Sequence, residues 1–453
     1  MQFSTFDEFC MYAESFVNLE KKNSNYDVRN YRLDRMNALL NHIGNPHLEY
    51  KTLHIAGSKG KGSTANFLAT AIEKLGYKTA LYTSPHLVDY RERFSLAGKF
   101  FSENELVLAA NTLVQKLSDF TFTDQWGTSQ PTTFELLTTF AFLLFALTKC
   151  QWAVIETGLG GRLDATNVIN PVAAIITPIE LEHTAILGDT ITLIATEKSK
   201  IIKKGIPLFL AFQDKESRTV FYKEAQQNNS PVYDLKKEVK RISTKTTKEG
   251  QLVNIEWQEG QITSMVLNML GYVQAENSAL ALLVLKHLGL YKENLSESAL
   301  QEAKMAGRME IIAYNPTIII DGAHTVKSLS HLTESFVELY GEEGNSVIYG
   351  ALEDKDHVHM SHYLLKHFTN IIVSTPGTFK KSDPDSLYAL LKVEAHGYPN
   401  NPNIFLEKDP NCALRLALKL TDKEHAILCS GSFYMGGEII SAFQRKNIEV
   451  ACP

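Results

Sequence analysis

Short, almost wholly apolar runs alternate along this chain with longer stretches whose apolar residues recur every three or four positions. The short runs at 53–56, 79–83, 152–156, 172–177 and 206–212 predict strands buried on both faces. The longer stretches at 6–19, 34–42, 66–75, 103–117, 133–150, 190–203, 277–288 and 296–306 predict helices; the second is stopped by Gly44 and Pro46. Residues 90–101 read as a loop or hairpin and 120–131 as a polar, turn-rich loop. Residues 236–260 are polar and irregular, with antiparallel strands expected at 252–257 and 262–267. After Ala306-Gly307-Arg308 the alternation resumes. Strands are expected at 317–320, 346–349, 370–374 and 425–429, and helices at 327–340, 357–367, 385–392, 412–420 and 434–445. Alternation at this spacing predicts an α/β fold with two parallel sheets. The expected division is 1–305, a linker at 306–310, and a smaller α/β domain at 311–453.

Composition narrows the function. An apolar fraction of 44% and a charged fraction of 21% are those of an ordinary soluble globular protein. A net charge of −6, with no basic block interleaved with aromatics, argues against a nucleic-acid partner. The most membrane-like stretch, 136–147 between Glu135 and Lys149, is too short to span. The N-terminus carries Asp7, Glu8 and Glu14 and lacks a basic leader pattern. The five cysteines are scattered with no metal or redox spacing, so free thiols in a reducing cytoplasm are expected.

The richest chemistry lies where the first apolar run ends, at Gly57-Ser58-Lys59-Gly60-Lys61-Gly62-Ser63-Thr64. Glycines let backbone N–H groups approach phosphate oxygens, a helix N-terminus adds positive potential, and a lysine reaches the outer phosphates. The strict Walker spacing is not met, because Ile55 stands where its first glycine belongs. By itself the segment fits a phosphate cradle or a tight turn.

Other strand ends supply matching groups. Ser84 follows the second strand, Glu156 ends the apolar run 152–156, and His183 lies six residues beyond another. Open α/β sheets bind ligands at such ends. Hydroxyl, carboxylate and imidazole there suit a phosphate-bound cation, although imidazole is softer than Mg²⁺ prefers. Each has a plainer reading: Ser84 a turn cap before Pro85, His183 a surface residue, Lys198 a solvated helix charge, Asp321 and His324 a cap and a turn. A buried carboxylate at Glu156 is the hardest to explain structurally.

Taken together, these segments resemble one family. The loop at 57–64 resembles the G-T-N-G-K-G-S-T loop of the folylpolyglutamate synthase/dihydrofolate synthase family, within the Mur ligases. Ser84-Pro85-His86-Leu87, Thr133-Phe134-Glu135, residues 156–167, Leu181-Glu182-His183-Thr184 with Leu187-Gly188, and Glu197-Lys198 match it as well. So do Asn277, Gly307-Arg308, Asp321-Gly322-Ala323-His324, Asp354-Lys355-Asp356 and Ser430-Gly431-Ser432, in family order over nearly the whole chain.

The resemblance implies a P-loop ATPase domain of the Mur-ligase central type and a smaller Rossmann-like C-terminal domain, with chemistry between them. It implies that ATP phosphorylates a folate or dihydropteroate carboxylate and that the amine of L-glutamate attacks the acyl phosphate. Lys59, Gly60, Lys61, Gly62 and Ser63 are then expected at the ATP phosphates, and Asn277, Arg308 and Asp321 at other parts of ATP. Ser84, Glu156 and His183 are expected at Mg²⁺, of which two ions are implied. Lys61, Lys198 and His324 are expected to serve catalysis, with Lys198 at the position the family carbamylates. Arg32, Leu33, Asp34, Arg35, Thr132, Thr133, Phe134, Glu135, Leu163, Asp164 and Ala165 fall where the family meets its pterin-bearing substrate. A cytoplasmic monomer is expected.

Four positions depart from the pattern: Lys59 for asparagine, Ala306 for proline, Thr325 for asparagine, and Arg32 where glycine is common. A cation at Arg32 favours an acid with an extra carboxylate, hence a folate over dihydropteroate. Two alternatives stay open: a paralogue ligating an amine to another acid, and a nucleotide-binding regulator without ligase chemistry.

Overall fold

The computed structural model describes residues 1–18, 32–122, 128–247, 250–377 and 381–444. Strands β1 (Lys51–Ala56), β2 (Thr79–Tyr82), β3 (Phe94–Leu96), β4 (Lys99–Phe100), β5 (Trp152–Glu156), β6 (Ala173–Ile176), β7 (Leu208–Leu210) and β8 (Val232–Asp234) form one sheet in the order β4-β3-β2-β5-β1-β6-β7-β8. All neighbours from β2 to β8 run parallel; β3 and β4 add an antiparallel edge. The apolar runs are continuous because both faces are covered. In β5, Ala153 and Ile155 face one core with the helices Phe6–Glu14 and Thr133–Leu147. Val154 faces the other, with Leu53, Phe67 and Leu280. Thr133–Leu147 is apolar all round and buried nearly throughout, as a helix inside a large core should be.

Three strands, β9 (Val239–Thr247), β10 (Gly250–Trp257) and β11 (Ile262–Leu267), form a separate antiparallel sheet. The last two were expected. The first reads as irregular in the sequence because its exposed positions are Lys240, Arg241 and Lys245 and most of the rest are polar and half-buried. The helix Lys215–Gln227 was also missed; only Ser217, Phe221 and Ala225 of it are buried.

The second domain is a sheet of β12 (Glu310–Ala313), β13 (Thr317–Ile320), β14 (Ser346–Tyr349), β15 (Asn370–Val373), β16 (Asn403–Leu406) and β17 (Ala426–Ser430). Their order is β12-β13-β17-β14-β15-β16, parallel except at β12. The central strands match expectation. The two edge strands, half exposed and without a continuous apolar run, were not foreseen.

Among the described residues no helix is long and apolar enough to cross a membrane. Cys10, Cys150 and Cys429 are free and buried, but Cys412 is disulfide-bonded, so the expectation of free thiols fails there. Leu19, residues 123–127, Arg445 and Cys452 lie outside the described residues.

Candidate active site

The parallel register sets the site. Ile55 pairs with Glu156 and with Ile175, so the chains leaving β1, β5 and β6 emerge at one edge. β5 has been inserted between β1 and β2 while β6 lies on the other side, which makes β1 the switch point where such sheets bind ligands.

The loop leaving β1 is shaped by steric exclusion. Gly57 has φ +149°, and a Cβ there would lie 1.8 Å from Thr177 Oγ1. Gly60 has φ +82°, and its Cβ would meet Asn277 Oδ1 at 2.4 Å. Left-handed backbone and missing volume together require glycine at both. The helix that follows begins at Lys61, five residues before the apolar periodicity, because left-handed Gly60 caps it and polar residues occupy its first turn. The motif's lysine therefore stands at a helix N-terminus, with Gly62 and Ser63 buried behind it.

Lys61 Nζ donates to Gly57 O at 3.0 Å and stands 3.8 Å from Glu156 Oε1. Glu156 is 4% exposed and its Oε2 accepts the Ser84 N–H at 3.3 Å. Burial pushes its carboxyl up; Lys61, the Ser84 amide and Arg308 pull it back. A buried carboxylate with one longer-range cation and one amide is poorly satisfied for a structural group.

Lys198 is buried, not solvated. Its Nζ donates to Gly57 O and to Glu182 Oε1, both at 2.9 Å. Burial pushes the Lys198 ammonium down, opposed chiefly by Glu182. Burial would raise Glu182, but the ammonium groups of Lys198 and Lys61 outweigh it and hold this carboxyl at about 2. The sequence reading passed over Glu182, the neighbour of His183, although the motif contained it.

His183 is exposed, left-handed at φ 48°, and precedes the short helix Thr184–Leu187. Among the described residues no three or more His, Cys, Asp and Glu side chains converge as a metal cage.

The second domain faces this corner. Arg308 lies over the Phe433 ring, 4.3 Å from its centroid, and its charge acts on Asp321 and Glu156. Asp321 accepts from the Met309 and Ala323 amides at 3.0 and 2.8 Å. His324 holds Gly322 O through Nδ1 at 2.8 Å, and its Nε2 lies 3.4 Å from Lys59 Nζ. Thr325 caps the helix Val326–Tyr340 with Ser328, which accounts for a hydroxyl at that departure. Ser432 Oγ donates to Gly350 O and Gly431 N–H to Ala323 O, so this motif braces the strand ends.

The substrate-side residues divide in two. Arg35 is fully buried and donates to both Glu135 oxygens, at 2.8 and 3.0 Å, and to Thr128 O and Gln130 O. Glu135 and Thr132 form the reciprocal cap of the helix Thr133–Leu147. Thr133 Oγ1 donates to Ala13 O, and Asp164 accepts from the Leu159 and Thr166 amides. Ala165 is buried. These groups are bonded within the fold. Leu33, Phe134 and Leu163 are half-buried, and Phe134 packs where a Cβ on Gly158 would otherwise sit. Arg32 is exposed and paired with Asp34 at 2.6 Å, so the charge argument for a folate over dihydropteroate loses its free cation.

Residues 55–285 match the Mur ligase middle domain and residues 307–433 the Mur ligase glutamate ligase domain. The dihydrofolate synthase/folylpolyglutamate synthase of Bacillus subtilis is 33% identical over 336 residues, 72% of this chain and 77% of that one. The folylpolyglutamate synthase of Lacticaseibacillus casei is 30% identical over 400 residues, 85% and 89% of the two chains. This chain belongs to the folylpolyglutamate synthase/dihydrofolate synthase family of Mur ligases. It is an ATP-dependent ligase of that family. The Thermotoga maritima folylpolyglutamate synthase superposes with a TM-score of 0.81 at 31% identity, over 98% of both chains. The Mycobacterium tuberculosis family member, solved with ADP and AMPPCP, superposes with a TM-score of 0.83 at 27% identity, over 92% and 96%.

The Lys198–Glu182 pair carries a pH signature. A carboxyl held at about 2 against an ordinary 4.5 stabilises the fold above pH 4.5, and that contribution is lost as pH falls toward 2. The difference amounts to about 3 kcal/mol. Denaturant titrations between pH 5 and 2 should show Glu182→Gln with a shallower loss of stability than the wild type. Parallel curves would show that the pair does not act in this way.

Proposed function

We propose that this protein joins the amine of L-glutamate to a folate carboxylate, with dihydropteroate as a second acceptor, through an acyl phosphate made from ATP. The observation that supports this most is the convergence of Lys61, Glu156 and Ser84 at one sheet edge with Arg308 of the linker and Asp321 and His324 of the second domain across from them. Both halves of the site come from one chain, which supports a monomer as the working unit.

Lys61, the amides at 60–63 and the helix N-terminus bind the ATP phosphates. Asn277 stands against Gly60 and limits the loop from its far side, while Arg308 in the linker and Asp321 in the second domain bind nucleotide. Fixed charges and dipoles of this kind act where phosphoryl charge develops, and placing them beforehand lowers the barrier. Glu156, with Ser84 beside it, fits Mg²⁺, which prefers one or two carboxylates together with phosphates and water; bound there, the ion neutralises phosphate charge. His183 fits less well because it is exposed. A carbamate on Lys198, as the family resemblance implies, would set two anions together with Glu182, an arrangement that suits a second cation. The buried, downshifted Lys198 amine favours reaction with CO₂. The wall formed by Arg35, Glu135, Thr132, Thr133 and Asp164 holds the apolar faces of Leu33, Phe134 and Leu163 toward the acid.

The deciding experiment is an acceptor panel of dihydropteroate, reduced folates and unrelated acids with ATP, Mg²⁺ and glutamate, followed by mass detection of added glutamate. Addition to reduced folates, with the highest kcat/KM there, is expected. A higher value for dihydropteroate reverses the order of the two acceptors, and addition only to an unrelated acid replaces this reading with the paralogue.

A further inference from the structure

One residue of the phosphate loop crosses to the other domain. The backbone of Lys59 is pinned to the strand end of β6: the Ser58 and Lys59 amides donate to Pro178 O at 2.9 and 3.3 Å. Its side chain extends away from that anchor to His324, 265 positions along the chain and in the second domain. His324 receives it in a fixed tautomer. Its Nδ1–H donates to Gly322 O, which leaves the Nε2 lone pair free to accept from the Lys59 ammonium. Gly322 N–H in turn donates to Gly307 O in the linker, beside Arg308. A continuous set of contacts thus runs from the phosphate loop through Lys59, His324 and Gly322 to the linker.

We infer that Lys59 is a positioning residue that holds the second domain over the phosphate loop by engaging His324 Nε2, coupling the nucleotide corner to the opposite side of the cleft. This inference takes the catalytic cleft from the reading above. The surroundings agree with it. Burial, chiefly, and then the charge of Lys59 push His324 down to about 3, so its ring is neutral and able to accept. Glu182 and Glu180 compensate the Lys59 charge, while Arg308 and Lys61 oppose it. Glu180 also accepts from Lys327 of the second domain at 2.8 Å, a second contact across the cleft, but Lys327 is far more exposed and screened. Lys59 is half-buried, and a hydrogen bond from a partly desolvated charged donor contributes more than one in water. When Lys59 holds Nε2, that nitrogen has no lone pair left for another proton. Lys59 therefore fixes both the ring's place and its protonation state.

The test uses the full chain with paired spin labels on exposed sites of the two domains, and steady-state kinetics. Lys59→Met keeps the length of the side chain and removes the donor. It should broaden the interdomain distance distribution without any ligand and lower kcat about tenfold, with KM for ATP changed less than twofold. Lys59→Arg, which keeps a donor, should restore most of the closed distance. Lys59→Met combined with His324→Ala should be no slower than His324→Ala alone. Unchanged distances in Lys59→Met, or additive losses in the double variant, would overturn the inference. So would a tenfold rise in KM for ATP with normal kcat, which would make Lys59 a phosphate ligand only. The distance measurement needs no ligase turnover, so a failure of the acceptor assignment and a failure of the coupling are read separately.

Discussion

Lys61→Ala should leave a folded protein whose phosphate release at saturating ATP and Mg²⁺ falls by about 10²–10³-fold, the range for removing one fixed charge donor at a reacting oxygen. Two losses act together. The ammonium proposed to meet the phosphates is gone, and so is the cation 3.8 Å from buried Glu156. Without it, burial drives Glu156 further toward its neutral form, which binds cations poorly. The fold should survive, because Lys61 is otherwise tied only to carbonyl oxygens of its own loop. Far-ultraviolet dichroism and a thermal melt check the fold, and coupled phosphate detection checks the rate. Turnover within tenfold of wild type would remove Lys61 from the phosphate site. Glu156→Ala should lose a comparable factor, with a raised Mg²⁺ requirement distinguishing it from Lys61→Ala.

Arg35→Ala should be the most destabilising single change on the substrate side, by about 3–5 kcal/mol, the cost of removing one partner of a buried ion pair. Arg35 is fully buried, bonds both Glu135 oxygens and two carbonyl oxygens, and lies 3.9 Å from the Phe122 centroid. Alanine would strand the Glu135 carboxylate inside the core and release the wall at 128–131. The melting temperature should fall by roughly 10 °C. Arg35→Met with Glu135→Leu should recover part of that loss, since replacing both members removes the stranded charge. Recovery would be incomplete, because Glu135 also accepts the Thr132 amide. A drop below 1 kcal/mol for Arg35→Ala would mean that water reaches the pair. Substrate KM should rise in the single variant even at temperatures where it stays folded.

The glycine loop, the buried strands and the two α/β halves could be read from the chain because each rests on local rules. Continuous apolar runs mark parallel strands, and positive φ at Gly57 and Gly60 demands glycine wherever the loop is placed. The family motifs could be read for the same reason: they occupy contiguous positions at strand ends. The exposed edge strands β9, β12 and β16 could not, since a strand with a solvent face is polar and its pairing is supplied from elsewhere in the chain. Partnership between distant side chains was equally hidden. Arg35 and Glu135 stand 100 positions apart, and nothing in their spacing announces that packing bonds them to each other. Lys198 reads as a solvated helix charge until the fold buries it against Glu182 and Gly57. Lys59 reads as one more charge by the phosphates until the second domain brings His324 to it. The sequence alone determined which groups stand at the strand ends, because local backbone preferences set them there. Only the tertiary structure decided which of those groups are engaged with one another, because burial and pairing depend on distances that no spacing along the chain contains.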